Sequence, residues 1–167
     1  MQTLNSPLEL GLRTLVVLTV SFPRELDIDR IVLMDYCLLR SEDLGGPPSV
    51  LPAIATRGGE LGIKRTVLEH GIQVMLRAGL VDVVVSSEGL NYRASEAAAP
   101  FLRLVSSPLL DKLRQVAEWA VGDFGDLPTA GIRERIQLIA NQWGEQWTDD
   151  SDEVGEELTT DEEEAAL

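Results

Sequence analysis

The 167-residue chain contains one cysteine and one histidine, and these two scarcities argue against most catalytic and metal-binding chemistry. Cys37 alone permits no disulfide within the chain, which fits a reducing compartment, and its apolar surroundings predict a small buried side chain. His70, beside Glu69, is predicted to be a structural histidine. The sequence has no Cys-x-x-Cys, His-x-x-x-His, glycine-rich phosphate loop or Gly-x-Ser-x-Gly motif. We therefore expect no catalytic residues, no metal, no cofactor and no small-molecule substrate.

Long hydrophobic runs are absent as well. The most apolar stretch, about residues 8–20, contains Glu9 and Arg13 and is well short of the ~20 residues that a membrane-spanning helix needs. The first residues lack the basic region and the small-residue cleavage site of a signal peptide. These features predict a soluble, cytoplasmic chain that does not associate with membranes.

Basic residues are missing from the last part of the chain. Residues 149–167 hold ten acidic and no basic side chains, which leaves 18 acidic against 14 basic residues in the rest. The formal net charge of −14 therefore divides into −10 for this segment and −4 for residues 1–148. A dense run of like charges with few apolar residues predicts a disordered acidic tail.

Helix starts are well marked in the remaining sequence. Ser6 and Pro7, followed by Glu9, predict an N-cap, a first-turn proline and a capping box. Asp27 is predicted to cap a second helix to about residue 40. A breaker-rich loop follows, then a third helix that ends near residue 78, in which Gly71 indicates close approach of another backbone. Ser107 and Pro108 begin a later helix, and a last helix is expected at about residues 130–147.

The centre of the sequence indicates a helix followed by a β-hairpin. Gly79 suits the left-handed position after the third helix. Two strands follow, at about residues 81–86 and 90–93, with a turn at Glu88–Gly89. Ser95 is expected to cap a short helix that Pro100 bends. We predict a mainly α fold with a small β-hairpin: a winged-helix domain (α-α-α-β-β) over residues 1–106, a C-terminal helical extension over 107–148, and the acidic tail.

Winged helices bind DNA or other proteins, and the sequence offers candidates for both. A small basic set could contact nucleic acid, and it consists of Arg57, Lys64, Arg65 and Arg93. The mildly acidic core and the acidic tail weigh against it, because DNA binding needs positive charge. The first two helices are apolar on more than one face, so each is either a buried helix or one shared with a partner. A partner interface is predicted to include Leu10, Val17, Val50, Leu51 and Trp147.

The order of several short motifs resembles a known family. These are LNSPLE (4–9), GGPPS (45–49), GEL (59–61), RAGL (77–80), YRAS (92–95), APFL (99–102) and AEW (117–119). Together they resemble the middle component of bacterial ABC-three-component systems, which are similar to the Lamassu anti-phage systems. The resemblance covers about residues 4–147 and leaves the tail outside.

The resemblance implies a non-catalytic accessory subunit. Such a subunit would dock on a coiled-coil ABC ATPase of the SMC/Rad50 kind and link it to a nuclease-like effector, with DNA reached through the complex. The alternative that the residues leave open is a winged-helix DNA-binding transcriptional regulator. A DNA mimic based on the acidic tail is a third, more distant hypothesis.

Overall fold

Helices dominate the structure, a computed structural model that describes residues 6–50 and 60–142, with side chains at 6–50 and 65–139. Within these ranges the order is α1 (Pro7–Ser21), β1 (Leu26–Asp27), α2 (Ile28–Leu39), α3 (Glu60–Arg77), β2 (Val81–Ser86), β3 (Gly89–Ala94), α4 (Ala98–Leu104), α5 (Pro108–Phe124) and α6 (Thr129–Gln142). The three strands form an antiparallel sheet in the order β1-β3-β2. The prediction of a mainly α chain with a hairpin is confirmed. The acidic tail at 149–167 lies outside the described residues.

Hydrogen bonds confirm the predicted starts of α1, α2 and α5. The Ser6 hydroxyl accepts from the Glu9 N–H at 3.3 Å, and the Glu9 carboxylate accepts from the Ser6 N–H at 3.2 Å, which completes the capping box. Asp27 caps α2 by accepting from the Arg30 N–H, and Ser107 caps α5 by accepting from the Leu110 N–H. These caps satisfy N–H groups that the first turn of a helix leaves without partners.

Helix α1 is the centre of the molecule, because α2, α3, α5, β3 and α4 all contact it. Its closest neighbour is α3, and two glycines make that approach possible. A Cβ at Gly71 would lie 2.6 Å from the Pro7 carbonyl oxygen and 2.7 Å from the Gly11 nitrogen. A Cβ at Gly11 would lie 2.8 Å from the Gly71 carbonyl oxygen. The predicted close approach of another backbone at Gly71 is confirmed.

A buried ion pair, which was not predicted from the sequence, joins α1 to α2. The Arg13 guanidinium donates from Nε to Oδ1 of Asp35 at 2.7 Å and from Nη2 to Oδ2 at 3.0 Å. The two side chains are 3% and 1% exposed. Two-point pairing satisfies the charges that burial would otherwise penalise.

The hairpin follows α3 through a helix end of the Schellman type. Gly79 has φ +72°, its N–H donates to the Leu76 carbonyl, and the Leu80 N–H donates to the Met75 carbonyl, both at 3.0 Å. The turn was predicted one residue too late. Ser86 pairs with Gly89, so the two-residue turn is formed by the residues between them, and Gly89 opens β3 with φ +127°.

The prediction for the helix after the hairpin was wrong at its start. The Ser95 hydroxyl accepts from the Ala97 N–H and donates to the Gly79 carbonyl at 2.7 Å, so it closes a turn at the base of the hairpin. Helix α4 starts three residues later, with Ala97 at the N-cap. Pro100 therefore lies in the first turn, where its missing N–H has no intrahelical partner to lose, and the expected bend has no cause.

The C-terminal helices share the core of the N-terminal elements. Helix α5 packs on α1 and α2, and α6 packs on α2; Phe124, Ile132 and Ile136 are fully buried in the same apolar cluster. No helix in the described ranges is long and apolar enough to cross a bilayer.

The breaker-rich loop after α2 is described as far as residue 50. Its described part packs down, since Leu44 is buried and Val50 lies against the core. Gly46 lies against the indole of Trp119, where a Cβ would meet ring atoms. The loop is therefore held against α5.

Candidate interaction surface

One face of the hairpin is apolar from its base to its tip. Cross-strand pairs Val81–Ala94, Val83–Tyr92 and Val85–Leu90 share this face, because directly opposed residues of an antiparallel pair point to the same side. The base pair is buried, whereas Val83 is 42%, Val85 76% and Leu90 54% exposed. The core therefore continues into a surface without a covering layer among the described residues. We call Val83, Val85, Leu90 and Tyr92 the hairpin face.

This surface was not predicted from the sequence. A signal was present: Val83 and Val85 alternate with Asp82 and the half-buried Val84, so one side of the strand is apolar to its end. Whether such a face is covered depends on a second layer, and the local pattern does not reveal one.

Other large apolar side chains are exposed elsewhere. Leu104, Val105 and Leu109 are exposed around the α4–α5 junction, and Leu8, Phe22, Val74 and Leu138 are exposed singly on other elements. Scattered apolar side chains are ordinary on protein surfaces. The hairpin face differs because its members are cross-strand neighbours that continue a buried layer.

Of the four predicted nucleic-acid contacts, the structure describes the side chains of Arg65 and Arg93. Arg65, on α3, forms ion pairs with Asp29 of α2 and Glu69 of α3. Arg93 is half-buried on β3, opposite Asp82 in the strand register. Arg57 and the side chain of Lys64 lie outside the described residues. The structure thus places Arg65 beside two carboxylates, which reduces the potential that it offers to a phosphate.

The predicted partner contacts divide between core and surface. Leu10 and Val17 are each 1% exposed, because α1 is enclosed by the other elements of its own chain. The expectation that α1 offers these two side chains to a partner is corrected: their packing role is internal. Val50 is partly buried against the core, whereas Leu51 and Trp147 lie outside the described residues.

An open cleft of about 560 Å³ separates the hairpin from the α5–α6 turn, and two arginines lie in it. Arg24 and Arg30 both donate to the Gly125 carbonyl, and Arg30 also donates to the Leu127 carbonyl. Burial, together with nearby Arg24, lowers the pKa of Arg30. Four acidic side chains also line the cleft, namely Glu25, Asp27, Glu88 and Asp126. Since acids outnumber the two engaged arginines, the cleft does not form an anion site, and its arginines hold the α5–α6 turn in place.

No group of three or more potential metal ligands occurs in the part of the chain that the structure describes. His70 is exposed on α3. Cys37 is fully buried, and burial raises the pKa of its thiol from 9.0 to about 12. This matches the prediction of a buried apolar cysteine.

Cys37 is accordingly expected to resist thiol reagents in the native protein at mildly alkaline pH, because the thiolate is the reactive form and the thiol stays protonated. A colourimetric disulfide reagent should label it only after unfolding in guanidinium chloride. The folded pKa lies above the unfolded one, so the thiol's contribution to stability is full below pH 9.0 and declines as the pH rises towards about 12. Rapid labelling of native protein would contradict this assignment.

Comparison with known proteins places this architecture in a family. Residues 3–146 match the family model of the ABC-three component (ABC-3C) system Middle Component 2. Because the match spans most of the chain, the protein belongs to this family, and the predicted resemblance is confirmed at that level. No curated protein and no solved structure gives a significant match.

Proposed function

We propose that this chain is a non-catalytic adaptor subunit that links a coiled-coil, SMC/Rad50-like ABC ATPase to an effector in a bacterial, cytoplasmic anti-phage defence complex. Family membership carries the proposal, since a middle component works with the other components of its system. The uncovered hairpin face supports it, because apolar surfaces of this kind serve as protein interfaces.

We further propose that the described elements from α1 to β3 form the winged helix that was predicted within residues 1–106. The element order α1-β1-α2-α3-β2-β3 and the sheet order β1-β3-β2 support this interpretation. In a winged helix that binds DNA, the helix before the hairpin enters the major groove, and here that helix is α3. In the adaptor proposed here, the hairpin serves a protein partner instead.

The adaptor role is tested by co-expression of the chain with the other components encoded beside it. A tag on this chain is expected to recover the ATPase and the effector together, and omission of the chain should uncouple the two. A matched omission of the ATPase shows which pairs bind directly. Recovery of the tagged chain alone, with intact ATPase and effector in the same lysate, would refute the adaptor role.

The defence role is tested separately in cells. A strain that carries the complete system is expected to plate phage less efficiently than one that lacks this chain, with wild-type expression restoring the difference. Equal plating of both strains, at equal levels of the remaining components, would remove the anti-phage part of the proposal.

The second candidate is a winged-helix transcriptional regulator, which the element order favours. The pairing of Arg65 with two carboxylates and the net charge of −14 weigh against it. We expect the isolated chain to bind duplex DNA no more tightly than ordinary non-specific binding, with Kd above about 10⁻⁶ M. Fluorescence anisotropy at about 50 mM and 200 mM salt measures this. Tight binding that weakens steeply with salt would reverse the ranking.

A further inference from the structure

We propose that the outer edge of β2 is a docking site for an extended segment of another subunit, which adds to the sheet as a fourth strand beside β2. The segment would carry apolar side chains at alternate positions and basic residues among the others. This inference rests on the adaptor role, because the segment belongs to a partner component of the system.

The backbone geometry of the hairpin identifies the groups that face the open edge. A two-residue turn makes Ser86 and Gly89 a hydrogen-bonded pair. At the other end of the hairpin, the Ser95 N–H donates to the Leu80 carbonyl at 2.9 Å. Leu80 and Ser95 are therefore also a hydrogen-bonded pair, and such pairs occur at every second position between the two ends. Asp82 and Val84 therefore form backbone hydrogen bonds with their partners on β3. Val83 and Val85 direct both their N–H and C=O groups away from β3.

The same residues carry the exposed side chains. Val83 and Val85 belong to the hairpin face, so the open hydrogen-bonding groups and the uncovered apolar side chains occur on one edge strand. The described residues place no strand beyond β2, because the sheet order ends with it. Natural sheets usually protect such an edge with lysine, proline or a bulge. The sequence of β2, VDVVVS, contains neither lysine nor proline. An added strand would satisfy the edge groups and cover the valines at once.

The charge of the hairpin indicates which side chains the added strand carries. The charged side chains of the hairpin are Asp82 on β2 and Glu88 in the turn against Arg93 on β3, which lies opposite Asp82, so the edge strand and the turn carry a net negative charge. Residues 1–148 alone have a formal net charge of −4, so a second copy would also be negative, whereas a segment with lysine or arginine would be attracted.

Size also argues against a second copy. Six residues span about 20 Å, and a strip of that length and about 10 Å width covers about 200 Å². A stable dimer buries roughly 800 Å² per partner, so this edge alone would not hold one. Within an assembly that has other contacts, it can fix the position of a partner segment.

Proline substitution at Val83 tests strand addition selectively. Val83→Pro removes an N–H that faces the open edge and leaves the bonds between β2 and β3 intact. The matched control, Val83→Thr, keeps both the N–H and the β-branched shape. With the co-expressed complex, Val83→Pro is expected to lower the affinity for the component that carries the segment by at least about tenfold, and Val83→Thr by less than about threefold. Circular dichroism and thermal melting confirm that both variants fold.

Hydrogen exchange by NMR tests the geometry without a variant. In the free wild-type chain the amides of Val83 and Val85 should exchange quickly, and those of Asp82 and Val84 slowly. Assembly should protect Val83 and Val85. Unchanged exchange at both, together with equal binding by Val83→Pro, overturns the inference while the adaptor role stands.

Two other outcomes also decide the question. Protection of Val83 and Val85 in the isolated chain that rises with its concentration identifies a second copy as the occupant and overturns the proposed partner. Failure of the wild-type chain to recover any component refutes the adaptor role itself, and the inference falls with it.

Discussion

Gly71→Ala is expected to lower the free energy of unfolding by about 2–3 kcal/mol, although alanine is the better helix former by about 1 kcal/mol. The new Cβ would lie 2.6 Å from the Pro7 carbonyl oxygen and 2.7 Å from the Gly11 nitrogen. Both are backbone atoms of α1, so no side-chain rotation relieves the overlap, and α1 and α3 must move apart. Because α1 contacts most other elements, the separation disturbs the whole core. Urea unfolding measures the loss.

Gly122→Ala is the matched control. Gly122 lies within α5, and a Cβ there meets nothing within 4 Å. The same substitution should therefore stabilise the protein by about 0.5–1 kcal/mol, through helix propensity alone. Opposite signs at the two glycines would establish steric exclusion at Gly71. Equal stabilisation at both positions would show that α1 and α3 tolerate greater separation than the structure indicates.

Local chemistry explains why so many boundaries could be predicted from the sequence. The caps at Ser6, Asp27 and Ser107 and the glycine after α3 involve residues within a few positions of one another. Their signals are therefore complete in a short window. The predicted start of α4 was wrong because the Ser95 hydroxyl donates to the Gly79 carbonyl. Only the folded hairpin brings this partner close to Ser95, so a short window of sequence does not reveal it.

Strand β1 had no such local signal. It consists of Leu26 and Asp27, which pair with Tyr92 and Asn91 of β3. Two residues are too few to show an alternating pattern, and the partner strand is more than sixty positions away along the chain. Its pairing depends on how α1 and α2 position it, which is a tertiary effect.

The candidate surface shows the same division between local and tertiary information. Leu10 and Val17 were predicted to contact a partner because α1 is apolar on more than one face. That pattern is also what a helix enclosed by its own chain requires, and burial shows that the second explanation applies. The hairpin face is the reverse case. Its strands were predicted from the sequence, but only the fold shows that their apolar side chains are exposed.

Arg13→Met is expected to lower the free energy of unfolding by about 3–5 kcal/mol, because it removes the two hydrogen bonds and the positive charge that Arg13 directs at the buried Asp35 carboxylate. The pair lies between α1 and α2 with both side chains almost fully enclosed. Replacement of both members by apolar residues, Arg13→Met with Asp35→Leu, should recover most of the loss, since neither desolvated charge then remains. Urea unfolding of the two single variants and the double variant completes the cycle. Recovery would show that charge pairing, and not the shape of the two side chains, makes the single variants unstable. A double variant as unstable as the sum of the singles would instead show that the carboxylate and guanidinium are needed for α1 and α2 to pack.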